Sequence, residues 1–285
     1  MNKEEISRTV SPLPVGNGTG AGSNAPVAVM DSGVGGIDVL REIRALLPQE
    51  DLLYFGDSAN APYGDRPVEE VRELVYGHAA RLLDECKALV LACNTATALC
   101  VAELRRRYPN TPIIGMEPAL KPALSVGAHP RVLVLATATT LRERKFSAML
   151  KRYGQAAEVV CIAASEIVKY VETGRENSEE LQEHLFALLA PYRTPLPDAV
   201  VLGCTHFPFV KGAILKALGS QVPIFDGARG TALQLERRLR GAGLLSTAPR
   251  RGAVTLTSSV PGILPLYARL LFSAEESCAD VESAR

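Results

Sequence analysis

Two cysteines stand in matching surroundings, Ala88-Leu89-Val90-Leu91-Ala92-Cys93-Asn94-Thr95 in the first half of the chain and Ala199-Val200-Val201-Leu202-Gly203-Cys204-Thr205-His206 in the second. In each, an uninterrupted apolar run of the kind a strand buried on both faces produces ends on a thiol and then turns polar. Both sulfurs are therefore expected at the carboxyl ends of strands, where open α/β sheets bind their ligands. One such thiol per half suggests a single site gripped from two sides. A thiol titrates near pH ~8.5, is soft and nucleophilic, and can accept or give a proton; a helix start or a cationic neighbour lowers its pKa. Each strand feeds a helix, so each sulfur should feel a helix N-terminus.

The residue types leave several chemistries open. Asn94, Thr95, Thr205 and nearby backbone amides supply donors for a carboxylate, which suits the thiols to acid and base work. Cys204 with His206 could instead ligate a metal, but structural zinc needs four ligands and no Cys-x-x-Cys partner is present. Covalent catalysis with His206 as base would leave the other cysteine without a role. Two inert buried thiols are the plain alternative, common for this residue type.

The elements that must carry these residues alternate. Val27 to Met30 is a strand running into Asp31-Ser32-Gly33-Val34-Gly35-Gly36, followed by a helix with apolar Ile37, Leu40, Ile43 and Leu47. That turn can offer backbone amides to an anion, a carboxylate as readily as a phosphate, and it does not fit the dinucleotide fingerprint. Asp31 is an acid where an anion is expected, and its plain role would be to cap the helix. Leu52 to Phe55 is a strand entering a loop, Gly56 to Asp65, that holds Tyr63 and should lie over the same sheet edge. Val68 to Cys86 keeps a helical period with His78 and Cys86 on or near its apolar face.

A helix from about Ala96 to Tyr108, a strand at Pro112 to Met116 and a loop at Glu117-Pro118-Ala119 close the first half. Arg131 to Leu135 then leads to Thr137 and Thr140, whose hydroxyls open a helix with Leu141, Met149 and Leu150 as core positions. Further strands are expected at 158–162, 199–203, 222–225 and 253–257. Helices are expected at 165–172 (capped by Ser165), 178–190, 208–218, 228–240 and 263–272. Nine strands with helices between most of them specify parallel sheets with covered faces.

Composition narrows the partners. Lys plus Arg and Asp plus Glu each number 31, so no basic excess recruits nucleic acid or an anionic membrane. The six cysteines are too sparse for a disulfide framework and read as reduced thiols of a cytoplasmic protein. No run approaches the length of a membrane span. Residues 1–26 lack hydrophobic periodicity and end glycine-rich, the signature of a disordered leader.

Taken together, Asp31 to Gly36, Gly56-Asp57-Ser58 with Pro62-Tyr63-Gly64, Ala92-Cys93-Asn94-Thr95-Ala96-Thr97 and Leu202-Gly203-Cys204-Thr205-His206-Phe207-Pro208 resemble the cofactor-independent glutamate racemases of bacterial cell-wall synthesis. The resemblance covers about residues 27 to 245. It implies two similar parallel-sheet α/β lobes related by a pseudo-twofold, with the site in the cleft between them and a homodimer as the common assembly. On that plan residues 27–117 with 228–285 make one lobe and 118–227 the other.

It further implies racemisation of glutamate without cofactor or metal. Cys93 serves the D-enantiomer with Asp31 assisting, and Cys204 the L-enantiomer with His206 assisting. Ser32, Tyr63, Gly64, Asn94, Thr95 and Thr205 match positions that hold the substrate's charged groups, as do Thr137 and Thr140. Glu172 aligns with an acidic residue near the second cysteine. The leader before Val27 exceeds that of the plainest members, and such extensions accompany activation by a cell-wall nucleotide precursor in one subgroup. The alternatives are a sister two-cysteine racemase of aspartate or another amino acid, and a two-lobed carboxylate-binding protein without chemistry. The segment Leu256 to Gly262 matches the family's ending poorly.

Overall fold

The structure is a computed structural model that describes residues 22–142, 147–148 and 157–272. Met149, Leu150, Cys278, the tail from Ser273 and residues 1–21 of the leader lie outside the described residues. Residues 22–26 form a turn: Ala25 N–H donates to the Gly22 carbonyl and Lys87 N–H to that of Pro26.

Nine strands lie among the described residues: β1 Val27–Asp31, β2 Leu52–Gly56, β3 Ala88–Leu91, β4 Ile113–Gly115, β5 Arg131–Ala136, β6 Glu158–Ala163, β7 Ala199–Gly203, β8 Ile224–Phe225 and β9 Val254–Ser258. They form two sheets, ordered β4-β3-β1-β2-β9 and β6-β5-β7-β8, and every pairing is parallel. Read in reverse, the second sheet is β8-β7-β5-β6, so β5 to β8 repeat the order of β1 to β4, and β9 is an addition beside β2. The two halves share one topology, as a pseudo-twofold requires. In that correspondence β3 and β7 are equivalent, and they are the strands that deliver Cys93 and Cys204.

β1, β2, β3 and β7 are buried along their whole length, which is why their sequences are continuous apolar runs rather than alternating ones. One apolar cluster contains Val29, Tyr54 and Val90 of the first sheet together with Leu133, Val200 and Leu202 of the second. The two sheets thus share one buried cluster, which also takes in Val34, Phe207 and Leu235, each large apolar side chain contributing about 1.5–3 kcal/mol on burial.

Element boundaries differ from expectation where local chemistry intervenes. The third helix begins at Asn94, not Ala96, because Cys93 itself is its N-cap. Pro208 lies in a short 3-10 turn, Phe207–Val210, and the α-helix follows at Lys211–Leu218. Ser165 makes no side-chain cap to helix Glu166–Glu172; its hydroxyl accepts from Ala138 N–H at 3.4 Å instead. Asp31 does not cap the first helix, Ile37–Leu46, whose N-cap is Gly36. Near the C-terminus, β9 and a 3-10 turn at Pro261–Ile263 lead into a helix over 264–272, with Tyr267, Leu270 and Leu271 buried.

Candidate active site

Cys93 leaves β3 in extended conformation and caps the helix Asn94–Arg107, its sulfur accepting from Ala96 N–H at 3.5 Å. The expected helix start is present, yet burial pushes the thiol up to about 12, and the nearby Asp31 carboxylate adds to the rise. The Ala96 amide and Ser32 pull the other way and lose. Desolvation of a buried thiolate outweighs what one helix-terminal amide returns. Asp31 is also raised, again first by burial. Its oxygens accept from Gly33 N–H at 3.1 Å and from the Thr205 hydroxyl at 3.1 Å, the second a bond from the other sheet.

Cys204 leaves β7 before the 3-10 turn rather than at an α-helix start, so a side chain takes the place of the helix terminus. Its sulfur lies 3.7 Å from His206 Nδ1. The other ring nitrogen, Nε2, lies 2.5 Å from Glu172 Oε1. Burial opposes a charge on His206, but the sulfur on one side and the carboxylate on the other outweigh it and hold the imidazole well above its ordinary pKa. A protonated ring in that position donates from both nitrogens, and it is the kind of neighbour that stabilises a thiolate.

The glycine turn after β1 does bind a carboxylate, that of Glu172. Val34 N–H donates to Glu172 Oε1 at 2.7 Å. A Cβ on Gly35 would stand 2.4 Å from the Thr205 hydroxyl oxygen and 2.6 Å from His206 Nδ1. The bare backbone is therefore what lets residues of the second sheet reach the first.

One pocket lies where the halves meet, with about 260 Å³ of empty space in it and at its mouth. Cys93 and Cys204 both border it, with Ser32, Tyr63, Gly64, Asn94, Thr95, Thr137, Thr140, Thr205 and His206. Asp31 and Glu172 do not border it; they stand behind Thr205 and His206 and hold them. Pro62, Val168 and Gly203 also line the pocket. Pro62 and Gly203 adjoin residues already singled out, whereas Val168 is one apolar residue of a helix and carries no signal of its own. Thr137 and Thr140 share a hydrogen bond of 2.9 Å, and both hydroxyls lie 3.4 Å from that of Thr95.

Asn94 is the exception to this satisfaction: its Oδ1 and Nδ2 are both buried and neither has a partner. A donor and an acceptor left unpaired in a pocket wall are what a ligand carrying carboxylate and ammonium would satisfy. Among the described residues no three His, Cys, Asp or Glu side chains are grouped to hold a metal ion, so the Cys204–His206 pair has no third ligand of that kind. No helix among them is long and apolar enough to cross a membrane.

The family model for Asp/Glu/Hydantoin racemase matches residues 27–235. The chain belongs to the Asp/Glu/hydantoin racemase family. Within the family it is 42% identical over 237 residues to a glutamate racemase of Clostridium botulinum, covering 83% of this chain and 92% of the relative. Among solved structures it superposes on glutamate racemase RacE1 of Bacillus anthracis with a TM-score of 0.77 at 29% identity, covering 89% of this chain and 95% of that one. Escherichia coli glutamate racemase in complex with L-glutamate and the activator UDP-MurNAc-ala matches with a TM-score of 0.71 at 27% identity, covering 89% and 95%. The family match spans β1 to β8 and both cysteines.

Proposed function

We propose that this racemase interconverts L- and D-glutamate by moving the Cα proton between two thiols. The observation that carries the reading is that Cys93 and Cys204, delivered by equivalent strands of a repeated topology, border one pocket. The curated relative and the solved structures described above are glutamate racemases, which favours glutamate over aspartate.

In the L-to-D direction Cys204, as thiolate beside the His206 imidazolium, takes the Cα proton: the C–H bond breaks and an S–H bond forms. Cys93, kept a thiol by burial, then gives its proton to the opposite face of the carbanion. The thiol and thiolate have exchanged places, and proton exchange with solvent resets them. The Cα–H is a far weaker acid than either thiol, so the carboxylate must be held by donors while charge accumulates there. Asn94, with the hydroxyls of Ser32, Thr95 and Thr140, supplies them, while the hydroxyl hydrogens of Thr137 and Thr205 go to Thr140 and Asp31; no cofactor is invoked. Tyr63 and Gly64 complete the wall of the pocket.

The reading carries with it a cytoplasmic homodimer that supplies D-glutamate for peptidoglycan. Activation by UDP-MurNAc-ala is proposed by analogy with the E. coli protein; deleting residues 1–25 should then abolish the response if the leader mediates it.

The test is to incubate the purified protein with L-glutamate in heavy water. Loss of optical rotation with solvent deuterium at Cα is expected. Inversion of L-aspartate but not L-glutamate would move the assignment to the sister activity, and a retained Cα proton in both would leave a binding protein. Cys93→Ala and Cys204→Ala should each abolish inversion while leaving the fold intact.

A further inference from the structure

Glu172 is held at both oxygens. Oε1 receives Val34 N–H and faces His206 Nε2, while Oε2 accepts from the Ser58 hydroxyl at 3.0 Å. Ser58 lies in turn 2.8 Å from the hydroxyl of Tyr267, in the helix over 264–272. Counting protons fixes the direction of this chain. An ionised carboxylate only accepts, so the single hydroxyl hydrogen of Ser58 goes to Glu172, and that of Tyr267 must then go to Ser58. Ser258, 3.3 Å from Tyr267, spends its own hydrogen on the Gly56 carbonyl.

The surroundings are built to place that phenol. Tyr267 is fully buried and packs edge-on against Tyr54, with ring centroids 5.4 Å apart. Tyr54 donates to the Gly33 carbonyl at 2.6 Å, within the turn that receives Glu172. A Cβ on Gly56 would stand 2.1 Å from the Tyr267 oxygen, so the glycine of Gly56-Asp57-Ser58 leaves room for a hydroxyl from far along the chain. Arg269, two residues on, pairs with Glu176 at 2.6 Å, just beyond the helix that ends at Glu172.

We propose that Ser58 and Tyr267 are positioning residues for the Cys204 side of the reaction: Tyr267 orients Ser58, Ser58 fixes the Glu172 carboxylate, and Glu172 sets the ring of His206 against the Cys204 sulfur. The proposal rests on the two-thiol reading above. Neither Ser58 nor Tyr267 borders the pocket; the chain of hydrogen bonds from them reaches substrate by way of Glu172, His206 and Cys204.

The relay touches one of the two thiols, which gives it a signature that general loosening of the fold lacks. A higher barrier at Cys204 makes removal of the L-enantiomer's proton more rate-limiting and removal of the D-enantiomer's less so. Primary deuterium isotope effects on kcat/KM therefore diverge.

The experiment measures racemisation of L- and D-glutamate, each with and without deuterium at Cα, by the full-length wild type, Ser58→Ala and Tyr267→Phe. Tyr267→Phe keeps the ring against Tyr54, and thermal melting verifies that both variants fold. Ser58→Ala should lower kcat/KM roughly ten- to a hundredfold, the loss of one hydrogen bond to a charged group, and Tyr267→Phe several-fold less. In both, the isotope effect should rise from the L side and fall from the D side. Rates within twofold of wild type, or isotope effects that stay put or move together, overturn the proposal while leaving the racemase reading standing. A wild type that exchanges no Cα proton fails the reading itself and takes the proposal with it.

Discussion

Glu172 Oε1 occupies the place a side chain on Gly33 would need: a Cβ built on Gly33 stands 1.8 Å from it. The carboxylate from one half of the chain is seated in the backbone of the other, and the same oxygen meets His206. Gly33 does not adopt a positive φ, so alanine there strains no backbone, and the atoms nearest its methyl all belong to Glu172. Gly33→Ala is expected to fold, to lower kcat by about tenfold or more, and to relieve the elevation of the His206 pKa. Steady-state kinetics with histidine NMR check this; an unchanged imidazole titration would show that Glu172 is not what holds the ring charged.

Asn94 offers a separable test of what the pocket is built to hold. Its amide oxygen and nitrogen are buried without partners in the free protein, a condition that costs about 1–3 kcal/mol for such a group. Removing them should therefore not weaken the free fold. Asn94→Ala is expected to leave the melting temperature unchanged or higher while raising KM for glutamate by about tenfold or more. A lowered melting temperature with KM unchanged would mean that Asn94 has a structural partner and no ligand.

The repeated strand order, the two thiols at equivalent strand ends and the hydroxyl-rich loops were legible in the sequence because each leaves a local signature. A continuous apolar run followed by Cys-Asn-Thr or Cys-Thr-His can be read without knowing what it packs against. The partners of Glu172 were not legible. Ser58 lies 114 positions away along the chain and Tyr267 comes from a helix whose approach matched the family poorly, and only tertiary packing brings them together. The high pKa of Cys93 was not legible for a related reason. Sequence shows the helix start beside it, whereas the burial and the Asp31 charge that overrule the helix are properties of the assembled site. Cys204 differs again, because Pro208 opens a 3-10 turn and His206 replaces the helix terminus.

Asp57, fully buried beside the pocket loop, should leave a mark on stability in acid. Its carboxylate accepts from Tyr63 at 2.7 Å and from Asn60 at 3.0 Å, and His78 lies at 3.1 Å. Burial alone would raise its pKa, but these partners overcome it and hold the group at about 2. A pKa depressed on folding contributes stability that is complete above the unfolded value near ~4 and is lost as pH falls through the folded one. The difference corresponds to about 2 kcal/mol, lost between about pH 4 and pH 2. Chemical denaturation across that range should show this decline in the wild type and a flatter profile in Asp57→Asn; parallel slopes would remove Asp57 as the cause.

The two thiols should part company in their reactivity with alkylating agents. Cys93 is pushed up to about 12, and only the thiolate reacts, so its modification by iodoacetamide should climb about tenfold per pH unit from pH 6 to 9 without levelling off. Cys204 has the His206 imidazole, held protonated well above the usual histidine range, 3.7 Å from its sulfur, a cationic neighbour that Cys93 lacks, so it is expected to be the faster of the two to be modified at neutral pH. Mass spectrometry of the two peptides at short reaction times separates the sites, whose burial is nearly equal at 6% and 7% exposure, so accessibility does not explain a difference between them. Equal rates at neutral pH would mean that the free protein does not distinguish its two thiols, and the assignment of Cys204 as the resting base would be lost.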